Sequence, residues 1–355
     1  MTAWTWIVPL AGVGLLGAAI ALGASPLIAS LCALGLVGSV FAAVHHAEVV
    51  AHRVGEPFGT LVLALAVTVI EASLILSMVI AGGSEQAAVP RDTIYAALMI
   101  ICNGVVGVCL LVGGWHHREQ SFRVEGANSG LAALVPMAAL TLVLPTFTTT
   151  TPGGTYSESQ LIFAAAASLS LWAAFVFVQT VRHRDYFLPA ADPANPEVHA
   201  EPPTARRAWA SFALLVVSLV AVVGLAKVLS PTIERAVAAA GAPATVIGIA
   251  IAMIVLLPET WAAVRAAHAD RLQTSMNLAI GSALASIGLT IPVVALASIV
   301  FDFPLVLGLE PKDLVMLALT FVVGTITLGT GRTNIMQGAV QLVIFAAFLF
   351  LALVP

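Results

Sequence analysis

GEPFGTLVLALAVTVIEASLIL, residues 55–76, decides the fold class. Beyond the polar mouth Gly55-Glu56-Pro57, residues 61–70 are apolar apart from Thr68. Glu71 is the one charge, and apolar sequence resumes at Ala72. A helix rising 1.5 Å per residue crosses the hydrocarbon core of a bilayer in about 20 residues, so this stretch reads as a membrane span with a carboxyl group deep inside it. The rest of the 355-residue chain has the same character, with 60% apolar and only 9% charged residues. A soluble domain carries about 25% charged residues, so composition excludes one, and the solvent around this chain is lipid.

Polar and Pro/Gly punctuation divides the sequence into eleven candidate spans, at about 5–23, 27–44, 59–81, 93–114, 127–147, 160–181, 208–229, 243–264, 274–300, 313–330 and 334–353. The fold expected is an all-α polytopic membrane protein with about 11 transmembrane helices. The first span reads as retained rather than as a cleaved signal, because no Lys or Arg precedes it and apolar sequence returns directly after Ser25-Pro26. Cys32, Cys102 and Cys109 lie within apolar stretches and imply no disulfide framework. A net charge of −4 without a long basic run argues against nucleic acid as a partner.

The long polar connection 182–207, RHRDYFLPAADPANPEVHAEPPTARR, reads as a linker between two halves. The domain plan is a leading helix (1–25), a first five-helix repeat (26–181), the Pro-rich linker (182–207) and a second five-helix repeat (208–355). An odd number of spans per half makes the two repeats inverted. Alternating the connections puts ten of the fourteen Lys and Arg, and all eight histidines, on one side. By the positive-inside rule that side, with the N-terminus and the linker, is cytoplasmic, and the C-terminus lies outside.

Each half holds one deep glutamate. The second counterpart of the opening stretch is GAPATVIGIAIAMIVLLPETWAAV, residues 241–264, which also begins Gly-x-Pro and carries Glu259. A charge at mid-membrane costs from about 2.5 to more than 10 kcal/mol, so such a group protonates, pairs with a cation or faces a water-filled cavity. Two carboxylates holding one divalent cation are neutral, and so are the same two holding two protons. The empty, doubly ionised form is not neutral, and that asymmetry couples the flow of cations to the flow of protons. Glu71 and Glu259 are therefore the expected metal and proton carriers. Asn103, Asn277, Ser282 and Ser286, with Thr290, offer oxygens suited to a hard cation, or alternatively serve helix packing. Pro258 removes a backbone donor beside Glu259.

These residues resemble the calcium/cation antiporter superfamily and, within it, the bacterial ChaA-type cation/proton antiporters. The resemblance covers nearly the whole chain and is most specific at 45–76 and 256–292. It implies one leading span plus two inverted repeats, with an acidic transport residue in each repeat motif, here Glu71 and Glu259. Where other branches carry Gly-Asn four and three residues before the glutamate, this chain has Val67-Thr68 and Val255-Leu256. The departure is similar to the ChaA branch, for which Ca2+, Na+ and K+ are the implied substrates. The implied partners are inorganic cations, protons and the lipid of a bacterial inner membrane; no cofactor is implied beyond the transported cation.

VHHAEVVAHRVGE, residues 44–56, stands apart. His45, Glu48 and His52 fall on one helix face. The segment reads as an interfacial helix end, or as a proton sensor made of His45, His46, Glu48, His52 and Glu56. Two competing functions follow from these residues: a passive cation channel lined by the glutamates, and a membrane-embedded zinc hydrolase built on His45, Glu48 and His52. His116, His117, His183, His199 and His268 read as solvated loop residues.

Overall fold

A computed structural model describes residues 3–23, 25–55, 58–188, 203–243 and 245–354. Among them, eleven long helices follow one another: α1 (Trp4–Leu22), α2 (Pro26–Val54), α3 (Phe58–Gly82), α4 (Val89–His117), α5 (Val124–Phe147), α6 (Glu158–Arg182), α7 (Ala205–Ala239), α8 (Thr245–His268), α9 (Leu272–Phe301), α10 (Pro311–Leu328) and α11 (Ile335–Leu353). Ten are long and apolar enough to span a membrane, and α3 adds the apolar stretch Ala64–Ile80. The chain is thus an all-helical, multi-pass membrane protein. Each expected span lands on one helix. The exceptions in length are α2 and α7, which run about ten residues past their expected ends, because polar residues stay helical once the chain reaches the interface. Glu56, His199 and linker residues 189–202 lie outside the described residues.

Local chemistry sets the helix ends. Ser25 caps α2 ahead of Pro26, Thr204 caps α7, and Ser157 with Gln160 and Asn334 with Gln337 form capping boxes for α6 and α11. Large apolar side chains face outward; Ile20, Leu27, Leu34 and Trp209 are each more than 70% exposed. In water such a surface would drive aggregation, whereas lipid solvates it.

The chain divides into two compact units, Met1–Gln86 with Pro196–Pro258, and Ala87–Asn195 with Glu259–Pro355. In the first, α2 packs along α7 and against α1 and α3, and α1 and α3 also touch α7. Cys32, Leu36, Val40, Ala43 and Ala47 of α2 and Val222 and Leu225 of α7 supply buried side chains there. In the second unit, α9 packs against α4, α5 and α6, while α11 lies along α4. Gly338 allows that last approach: a Cβ there would stand 2.6 Å from the Leu111 backbone nitrogen and 2.9 Å from the Gly107 carbonyl oxygen.

The loops of the second unit pair in two sets. Gln120-Ser121 (β1) pairs antiparallel with Arg332-Thr333 (β2), and Gln120 Nε2 also donates to Ala267 O. In the other set, Thr155 bridges Val306, Gly308 N donates to Gly154 O, and Arg91 Nη1 donates to Gly308 O. The first set joins three connections expected on one side of the bilayer, and the second joins three expected on the other.

Candidate functional site

Glu71 sits on the inward face of α3. It is 4% exposed, and Thr68, Ala72, Ile75, Met78 and Val79 continue the buried stripe at helical spacing. Leu65, Val69 and Ile80 form the outward face instead. Glu259 follows Pro258 in α8, and both its carboxylate oxygens are sealed from the surface. Met253, Leu257 and Trp261, at intervals of four residues, mark the lipid face of α8. Glu259 is two residues, about 200°, away from Leu257 and Trp261 and so points to the other side. Pro258 has no N–H to give the Ile254 carbonyl, which loosens the helix one turn before the carboxylate. Neither glutamate turns outward toward acyl chains.

Asn103 occupies a π-helical segment of α4, Ile100–Val105, a local widening of the kind that gathers at functional positions. It is fully buried. Its Nδ2 donates to Thr320 Oγ1 of α10 at 2.9 Å, and Thr320 donates to the Met316 carbonyl at 2.8 Å. Asn103 Oδ1 has no hydrogen-bond partner among the described residues, and neither has Gln341 Oε1 on α11. Thr320 and Gln341 line a cavity of about 20 Å³, room for one water molecule.

The oxygens of α9 separate into two groups. Ser282, Ser286 and Thr290 recur every four residues along one stripe, with Ser282 half-buried and Ser286 and Thr290 buried. Asn277 lies off that stripe: five residues before Ser282, it is rotated by about 140°. Its Oδ1 accepts from Gln273 Nε2 at 2.9 Å and its Nδ2 donates to the Phe187 carbonyl at 2.6 Å. Gln273 Oε1 also accepts from the Arg123 backbone N–H. Asn277 and Gln273 thus tie the start of the linker and the α5 entrance to α9. The amide spacing Gln273-x-x-x-Asn277 was visible in sequence, but its partners lie 90 and 150 residues away.

The histidine segment splits as well. His45, Glu48 and His52 share a face of α2, with His52 and Glu48 exposed and His45 half-buried, its ring 5.2 Å from that of Trp4. His46 faces the interior and is fully buried, with Nε2 2.8 Å from the Thr5 carbonyl oxygen of α1. A carbonyl only accepts, so Nε2 carries the proton. Thr5 is four residues before Pro9, which has no N–H to close that turn; the imidazole takes the place of the missing donor. His46 therefore has a packing task that spacing alone does not reveal.

A cavity of about 330 Å³ is lined by Tyr156, Glu158, Leu161, Ser298, Asp302 and Phe303 among others and contains none of the candidate site residues. Burial pushes the Tyr156 hydroxyl above the usual phenol range, and it donates to the Leu140 carbonyl. A cavity open at a helix end is less suited to ion carriage than carboxylates held within spans.

The family described as sodium/calcium exchanger protein matches residues 24–181 and 210–354. The chain is 49% identical to the putative ionic transporter y4hA of Sinorhizobium fredii over 99% of this chain and 96% of that one. It is 34% identical to the sodium-potassium/proton antiporter ChaA of Escherichia coli over 90% of this chain and 87% of that one. Among solved structures, native YfkE aligns with a TM-score of 0.76 at 17% identity, covering 99% of this chain and all of that one.

Proposed function

Because the chain belongs to the sodium/calcium exchanger protein family, whose members are cation transporters and not enzymes, we propose that it is a proton-coupled cation antiporter. In this reading it exports Ca2+, with Na+ or K+ as alternative substrates, in exchange for protons, by alternating access in a bacterial inner membrane. Glu71 and Glu259 carry the cargo, and Asn103, Ser282 and Ser286 add neutral oxygens. The observation that carries the proposal is the placement of one glutamate on the inward face of α3 and one on the inward side of α8. The match of the family to two stretches, 24–181 and 210–354, supports two homologous halves with one carboxylate each. Similarity to a sodium-potassium/proton antiporter supports the coupling to protons.

The mechanism rests on charge. Loaded with a divalent cation, or with two protons, the pair is neutral and can change its facing without carrying net charge through lipid. A monovalent cation reaches the same neutrality when one carboxyl keeps its proton. The bare pair is held back by desolvation, so slippage without cargo is slow. Asn277 enters this scheme only as the tie to Phe187 described above. His45, Glu48 and His52, with Glu56, remain the groups proposed to sense protons at the end of α2; His46 joins them through its neighbour while holding α1. The hydrolase reading of His45, Glu48 and His52 falls with the family assignment.

Reconstituted vesicles test the site. Glu71→Gln and Glu259→Gln each abolish proton-coupled uptake of Ca2+, Na+ and K+ while the protein still inserts; full exchange in both variants overturns the assignment. Cation flux that ignores an imposed proton gradient would instead favour the channel.

A further inference from the structure

We propose that His116 and His268 form a binding site for a divalent transition-metal ion, with Zn2+ as its representative, where α4 and α8 end. This site is separate from the carboxylates and does not depend on the transport reading. The two imidazole centroids are 4.4 Å apart with the rings tilted by 57°, and both side chains are exposed. His116 Nδ1 lies 2.9 Å from the Val112 carbonyl oxygen. The carbonyl can only accept, so Nδ1 holds the proton and Nε2 keeps its lone pair. A ring nitrogen tied to a backbone oxygen in this way fixes the tautomer and raises the basicity of the other nitrogen, as at metal-ligating histidines generally.

The backbone beneath the two rings is cross-tied. His117 Nε2 donates to the His268 carbonyl at 2.9 Å. Gln120 Nε2 donates to the Ala267 carbonyl at 2.9 Å and to Asp270 Oδ1 at 2.8 Å. Arg118 and Asp270, just past the two helix ends, both adopt positive φ, 65° and 57°. That region is costly for residues other than glycine, so tertiary contacts rather than local preference set these two turns. The two helix ends that carry the rings are therefore held together, while the rings themselves keep their side-chain rotations.

A metal about 2.0–2.1 Å from two imidazole nitrogens at a tetrahedral angle holds the ring centroids about 5 Å apart. Small rotations of two exposed rings cover the difference from 4.4 Å. Among the described residues no three His, Cys, Asp or Glu side chains form a ready cage, so water completes the coordination. Neutral nitrogen ligands select zinc, nickel or copper over Ca2+, which takes oxygen.

The test titrates ZnCl2 into the full, tag-free chain in detergent by calorimetry, with excess Ca2+ present to occupy the carboxylates. One Zn2+ binds per chain, and His116→Ala and His268→Ala each weaken it at least tenfold, as does His268→Asn, which keeps a polar side chain; His183→Ala leaves it unchanged. Equal zinc affinity in the wild type and these His116 and His268 variants, or one-for-one displacement of zinc by Ca2+, overturns the proposal.

Discussion

His46 shows what one residue contributes to how this protein assembles. Its Nε2–H reaches a carbonyl on α1 that Pro9 cannot serve, and so ties α2 to α1 with a directed, buried bond. Replacing a buried donor costs about 1–3 kcal/mol, so His46→Leu lowers the apparent Tm in detergent by several degrees. The cost depends on Pro9. In a Pro9→Ala background the helix regains its own N–H, and the same His46→Leu change costs markedly less; equal losses in both backgrounds would disprove the link. The two glutamates proposed to carry the cargo belong to this scale too. Their depth was legible because a charge inside an apolar run is rare, whereas the pairing of His46 with Thr5, across 41 residues, has no signature in either segment.

At the scale of elements, close approach between helices depends on where side chains are missing. Gly338 lets α11 settle on the α4 backbone, and no flexible side chain can move aside for a Cβ there, since the nearest atoms are backbone. Overpacking of this kind costs about 1–3 kcal/mol or more. Gly338→Ala should therefore lower thermal stability, while Gly281→Ala, with nothing within 4 Å of the added carbon, is neutral. A loss of stability at Gly281 equal to that at Gly338 would refute the packing argument. The glycines themselves were visible in sequence. Which of them face a partner helix was not, because apolar composition runs round every side of these helices and hides their inward faces.

At the scale of the whole molecule, the proposed topology of eleven spans has the two termini on opposite sides of the membrane. In that proposal the positive-inside rule, applied to the basic connections, assigns the N-terminus to the inside. Alkaline phosphatase fused after the last helix should be active, and green fluorescent protein at the same position dark; the reverse pattern would reject the orientation. Among the described residues, β1 meets β2 and Thr155 meets Val306, so each pairing joins connections of one expected set.

Composition and run length by themselves determined that the chain is a set of membrane-crossing helices, where those helices lie, and that two of them each carry a glutamate deep in an apolar run. Lipid makes these features legible: every span must be long, apolar and internally hydrogen-bonded, and any charge within it stands out. Tertiary structure alone decided the tasks of the polar side chains near the helix ends. Asn277 anchors Phe187, His46 serves Thr5, and His116 meets His268 because hydrogen bonds and ring contacts act over about 3–5 Å between segments far apart in the chain.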